Sequence, residues 1–251
     1  MPLFSFNLDS FQIINTRSAH TDTDYACVTV KTSTFPNNVH NMTSQNLGNL
    51  NNGTFHIGLS CAGLTIYPDS PVVFNYLIFN SGTFTEGAVS NILQQIGTDL
   101  VNGPALASGS ALIYVENQYA SQLAAITKAG SCDGLVAAEQ FSFTYEQMIG
   151  LISPSYSYAG QPTVHNGGFN PKGCNSKPSQ YITNWSMAEV VSVSSILQER
   201  LGVAEQTLTG LQLTSKVVSG PNSSTAFVKS ANTLYPVVHS QVQLTTELTL
   251  P

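Results

Sequence analysis

Alternation at the two ends of the chain constrains its fold more than any other feature. Near the C-terminal end, Val238, Ser240, Val242, Leu244, Thr246, Leu248 and Leu250 share one parity, and His239, Gln241, Gln243, Thr245, Glu247 and Thr249 share the other. Successive side chains of a strand point to opposite faces, so a two-residue period predicts a half-buried β-strand. Phe4, Phe6 and Leu8 alternate in the same way, and Phe11 and Ile13 continue on the opposite parity. One long strand from Phe4 to Thr16 follows, its phase shifted by a bulge near Asp9-Ser10.

Between these ends the period changes. Tyr25 to Thr32 alternates again, and Ser33 to Asn52, rich in Asn, Ser and Thr, reads as a surface loop. Strands are expected at Gly53 to Leu59, Ala62 to Tyr67 and Val72 to Asn80. Ala88, Val89, Ile92, Leu93, Ile96 and Leu100 then recur at three- and four-residue spacings, with Thr83 and Glu86 as a capping box before them. A second helical stripe runs from Ser110 to Lys128 and stops at Gly130. Val136 to Tyr145 returns to alternation. Residues 153–180 are Gly-, Tyr- and Asn-rich without a period, a long loop. Past it, a strand through Trp185, a helix near Glu189 to Arg200, and strands at Thr207 to Val218 and Ala226 to Lys229 are expected. The fold class is therefore α+β and β-rich: a single domain of antiparallel, β-sandwich-like sheets with an inserted helical pair at about 83–129.

Composition narrows the function classes. Only 9 % of the residues are charged, and the net charge is −6. Six Lys and two Arg, dispersed along the chain, make no basic stripe to neutralise phosphates, so nucleic acid is not an expected partner. A surface of hydroxyls and amides repels its own copies weakly, because net charge is what usually keeps proteins apart. No apolar run approaches the roughly 20 residues that span a bilayer. Met1-Pro2-Leu3-Phe4 lacks the pattern of a secretory leader, so an extracellular or particle-associated setting implies a removed leader or another export route. Cys27, Cys61, Cys132 and Cys174 show no C-x-x-C spacing. They allow three pairings, or four buried thiols. Sequons stand at Asn41, Asn52, Asn184 and Asn222.

Three constellations bear on chemistry. His20, Asp22 and Asp24, spaced two apart, would share one face of an extended backbone and offer Ca²⁺ hard oxygen ligands, or a transition metal a histidine with carboxylates, although a polar turn capped by its own Asp side chains is the favoured reading. Tyr156, Tyr158, His165, Phe169 and Tyr181 combine rigid aromatics with nearby amides, the residue set of a carbohydrate or protein contact surface. Eight Glu and six Asp provide no distinguished catalytic pair, and Glu139 with Glu146 is the best available for a hydrolase. Ser60 lacks the G-x-S-x-G spacing, and a Cys61 or Cys174 pairing with histidine would need a tertiary contact. H-E-x-x-H, P-loop and dinucleotide fingerprints are absent from the sequence.

These features rank a non-enzymatic, self-assembling structural protein first, with copies of itself as partners and Ca²⁺ as a candidate cofactor. Phe4, Phe6 and Leu8 at one end, and Val242, Leu244 and Leu248 at the other, would add to a neighbour's sheet edge. A carbohydrate-binding module comes second. A hydrolase whose site forms only in the fold comes third.

Overall fold

The computed structural model describes residues 3–33, 38–43, 46–68, 70–153, 155–168, 170–190, 212–215, 226–230, 233–237 and 246–249. The chain divides into two compact units, Met1–Val190 and Val191–Pro251, where the sequence pointed to one domain.

In the first unit, strand β1 (Leu3–Asn15) lies between β5 (Gly53–Thr65) and β10 (Gln180–Val190), antiparallel to both. Both ladders shift register between Leu8 and Ser10. The extra residue, Asp9, is the anticipated bulge. It reverses the parity of the strand, so Phe4, Phe6 and Leu8 before it and Phe11 and Ile13 after it all reach the core. The outer side of β10 carries β8 (Ser157–Ala159) and β9 (Thr163–Asn166), two pieces of one edge interrupted at 160–162, where Pro162 has no N–H to give a ladder.

A second antiparallel sheet has the order β3 (Val39–Thr43), β2 (Asp22–Lys31), β6 (Val72–Asn80), β7 (Gly134–Phe143), with β4 (Asn49–Leu50) beside the start of β2. One face of this sheet packs on the first sheet. There Val28 and Val30, Phe74 and Ile78, and Val136 meet the inward side chains of β1 and β10. Its other face carries the helices α1 (Glu86–Asn102), α2 (Ala111–Gln118) and α3 (Ala120–Ala124), with Cys27, Leu77 and Phe79 against Val89, Leu93, Ile96, Leu100 and Val115. Covered on both faces, β2 and β6 are buried along almost their whole length. Helix α1 approaches closely at Gly97, where a Cβ would stand 2.4 Å from the Thr29 hydroxyl. The Asn75 amide donates to the Gly97 carbonyl there. A fourth helix, α4 (Tyr145–Ile152), inserts Met148 and Ile152 into the core between the sheets.

Several local expectations are corrected. The expected edge position of the first strand is wrong: β1 is paired on both sides, so Phe4, Phe6 and Leu8 are core residues with no free ladder to offer a neighbour. The loop at Ser33 to Asn52 holds the short strands β3 and β4, which pair with β2. The two strands expected between Gly53 and Tyr67 are one, kinked where its register with β1 shifts. The second helix breaks at Tyr119. Thr85, not Thr83, stands at the start of α1 without a side-chain cap, and a capping box instead joins Thr144 and Gln147 ahead of α4. Strand β10 runs on to Val190. The remainder of the helix expected to Arg200 falls outside the described residues.

In the second unit, β11 (Gln212–Ser215) pairs with β14 (Thr246–Thr249), and β12 (Ala226–Ser230) pairs with β13 (Thr233–Val237), both antiparallel. Leu248 stands opposite Leu213; Val242 and Leu244 lie outside the described residues. Among the described residues, no helix is long and apolar enough to cross a membrane.

Candidate functional site

Strand β10 turns Tyr181, Thr183, Trp185 and Met187 toward the second sheet, since alternate residues share a face. Near Trp185 the facing residues are aromatic. Its indole centroid lies 4.3 Å from Phe141, 5.6 Å from Phe74, 5.8 Å from Tyr158 and 6.0 Å from Phe143. Such a cluster is worth roughly 0.5–1.5 kcal/mol per ring pair beyond its buried area. The margins of β7 and β8–β9 leave a groove of about 440 Å³ above it, lined by Ser108, Phe141, Phe143, Tyr158, Gln161, Pro162, Thr163, Val164 and Trp185. That size falls within the roughly 300–1,000 Å³ of small-ligand sites.

The lining holds no acid, no base and no imidazole. Its polar atoms are hydroxyls and an amide. Trp185 is only 4 % exposed, and among the described residues its Nε1 donor has no hydrogen-bond partner. Gly160 lies directly against that edge of the indole: a Cβ there would stand 2.0 Å from Cε2 and 2.4 Å from Nε1. The Gly160 N–H donates to the Trp185 carbonyl at 2.9 Å.

Beneath the groove the core turns polar. Tyr76 Oη, His165 Nε2 and Thr183 Oγ1 form a closed triangle, with Tyr76–Thr183 at 2.6 Å, His165–Thr183 at 2.9 Å and Tyr76–His165 at 3.3 Å. Burial lowers the His165 pKa to about 4, so its ring is neutral at pH 7. Glu139 on β7 is buried too. Its carboxylate accepts the Gly109 N–H at 2.8 Å and the Gln140 N–H at 3.2 Å, which oppose the upward push of burial on its pKa. The Gly109 bond, with that of the Leu106 N–H to the Gln140 side-chain carbonyl at 2.8 Å, ties the connection between α1 and α2 to β7 on either side of Ser108.

The residues singled out by sequence fall in three places. Of the aromatic set, Tyr158 lines the groove. Tyr156 stands just before β8 with a backbone φ of 58°, left-handed for a residue with a side chain. His165 and Tyr181 are buried and committed to internal hydrogen bonds. Phe169 lies outside the described residues. His20 is exposed in the turn before β2, whereas Asp22 and Asp24 point into the core, so the three do not share one face as expected. Among the described residues no group of three His, Cys, Asp or Glu is placed to hold a metal. Asp22 accepts the backbone N–H of Arg17 at 2.6 Å and of Ser18 at 2.7 Å, closing the turn. Glu146 is exposed on α4 while Glu139 is buried, so the two face different surroundings.

Cys132 and Cys174 form a disulfide that ties the start of β7 to the connection between β9 and β10. Cys27 and Cys61 are buried thiols, pushed by burial up to about 12 and about 11. Asn52 is exposed in the turn before β5, while the Asn184 amide is bound to Ser10 on the neighbouring strand.

Sequence reasoning missed Phe141, Phe143, Gln161 and Trp185 as groove residues. Their alternation shows which residues share a face of one strand, but nothing in it says which strands confront each other. No family model matches the chain, and comparison with curated proteins and with solved structures likewise finds no match.

Proposed function

We propose that the first unit is a carbohydrate-binding module whose ligand, a neutral sugar, lies in the groove over Trp185. The observation that carries this is the pairing of an aromatic floor with an uncharged polar rim: Phe141, Phe143, Tyr158 and Trp185 below, Ser108, Gln161 and Thr163 around. A sugar ring presents a face of C–H groups and an edge of hydroxyls. Stacking takes the face, and hydroxyls and amides satisfy the edge, so that no polar group is desolvated without a partner. The disulfide supports an oxidising, extracellular setting.

Trp185 is the only tryptophan, so its fluorescence reports the site directly. Titration with a panel of neutral oligosaccharides is expected to shift that emission. Phe143→Ala is expected to weaken binding about tenfold, roughly the worth of one aromatic contact. Unchanged emission across the panel, with no chemical-shift change at Tyr158 or Phe143, would sink the proposal.

Self-assembly is the second reading, and β5 now supports it better than β1 does. It is the outermost strand of its sheet, thirteen residues long, with no Lys or Pro to guard it. Sedimentation that shifts with concentration, and is abolished by Ala62→Lys at an exposed position of that strand, would put assembly first.

A further inference from the structure

At the other end of β10, one hydroxyl serves two carboxyls. Tyr181 Oη lies 2.7 Å from Asp22 Oδ2 and 3.0 Å from Asp24 Oδ2, with all three residues fully buried. A phenol has a single proton to donate. Two carboxylates at hydrogen-bond distance from it would leave one oxygen facing another with no hydrogen between them. Asp22 already accepts two backbone N–H groups. Among the described residues, Asp24 Oδ1 has no hydrogen-bond partner.

We propose that Asp24 carries a proton and donates it to Tyr181, which donates its own to Asp22, so that one shared proton latches the two sheets together at this end. Asp22 and Asp24 belong to β2 in one sheet and Tyr181 to β10 in the other. In the latched state each short contact holds one hydrogen: Asp24 Oδ2–H to Tyr181 Oη, and Tyr181 O–H to Asp22 Oδ2. When base removes the Asp24 proton to solvent, the cluster gains one negative charge, and a single phenol proton must serve both acids. The groups facing it are few. Arg17 in the β1–β2 turn is a cation that acts on Asp22 and Tyr181, and on Glu116 and Asp133 as well. Asn80, opposite Asp24 on β6, is neutral, and so is His165, opposite Tyr181 on β9. Burial first, and the Asp22 charge second, push the Asp24 carboxyl well above the usual range, against the Tyr181 hydrogen bond. Because the folded value is raised, the stabilisation is complete below the unfolded value of about 3.9 and is lost as pH rises through the folded one.

Asp24→Asn in the full chain tests this, since the amide can donate to Tyr181 without a titrating proton. Equilibrium unfolding is followed by Trp185 emission across the acidic and neutral range. The wild-type folding constant is expected to fall about tenfold more per pH unit than that of the variant above roughly pH 4, the slope of one proton. The infrared spectrum of the wild type at neutral pH should show a protonated-carboxyl band that the variant lacks. Parallel pH profiles, or no such band, overturn the proposal. So would a melting temperature raised by calcium in the wild type but not in Asp24→Asn, which would give the cluster to a cation. Should that variant fail to fold, Tyr181→Phe replaces it, and a protonated-carboxyl band that this change leaves unshifted overturns the proposal.

Discussion

The two ends of strand β10 solve the same packing problem in opposite ways. At Tyr181 the strand meets buried carboxyls and a triangle of hydroxyls and imidazole, and hydrogen bonds fix how the sheets face each other. Four residues on, Trp185 meets rings, and its donor finds no partner among the described residues. A polar core that is paired specifies one arrangement, because shifting it strands buried groups. An aromatic core tolerates small shifts and can leave a groove open. The contrast sets a hydrogen-bonded end against an end that carries the groove.

Removing the ring should have the largest effect. Trp185→Ala takes away the centre of the aromatic cluster and is expected to lower stability by about 3–5 kcal/mol, read by denaturant unfolding followed by circular dichroism. Acid attacks the polar end next. His165 is held neutral, with its folded pKa depressed to about 4, so its contribution is present above about 6.5 and lost as pH falls through about 4. The difference corresponds to roughly 3 kcal/mol of stability. His165→Gln should remove that acid-side loss, and an unchanged acid profile would show that the triangle does not hold its histidine neutral. Tyr181→Phe should be milder, about 1–3 kcal/mol, the cost of leaving the buried Asp22 carboxylate without its donor and the Asp24 hydroxyl without its acceptor. If it proves as damaging as Trp185→Ala, the latched end carries as much of the core as the aromatic end.

The elements were legible where one strand or helix face decided them. The parity change at Asp9 showed the bulge, and the three- and four-residue spacings from Ala88 to Leu100 showed α1. The polar strands β3 and β4 escaped because Asn- and Thr-rich edges have no apolar period to betray them. The pieces β8 and β9 escaped for a similar reason, broken at Pro162. Tyr181 meets Asp22 across 159 positions of sequence. Contacts of that range, like the disulfide pairing and the confrontation of Phe141 with Trp185, exist only once the sheets close.

The central place of β1 also sets the order in which the chain can become whole. As it emerges from the ribosome, β1 can pair early with β5, but its other ladder belongs to β10, which ends at Val190. Until then the strand keeps one side of its backbone unsatisfied and its phenylalanines half covered. Long-range antiparallel pairing of this kind folds slowly and exposes sticky intermediates. For most of the synthesis of this unit, β1 waits for β10.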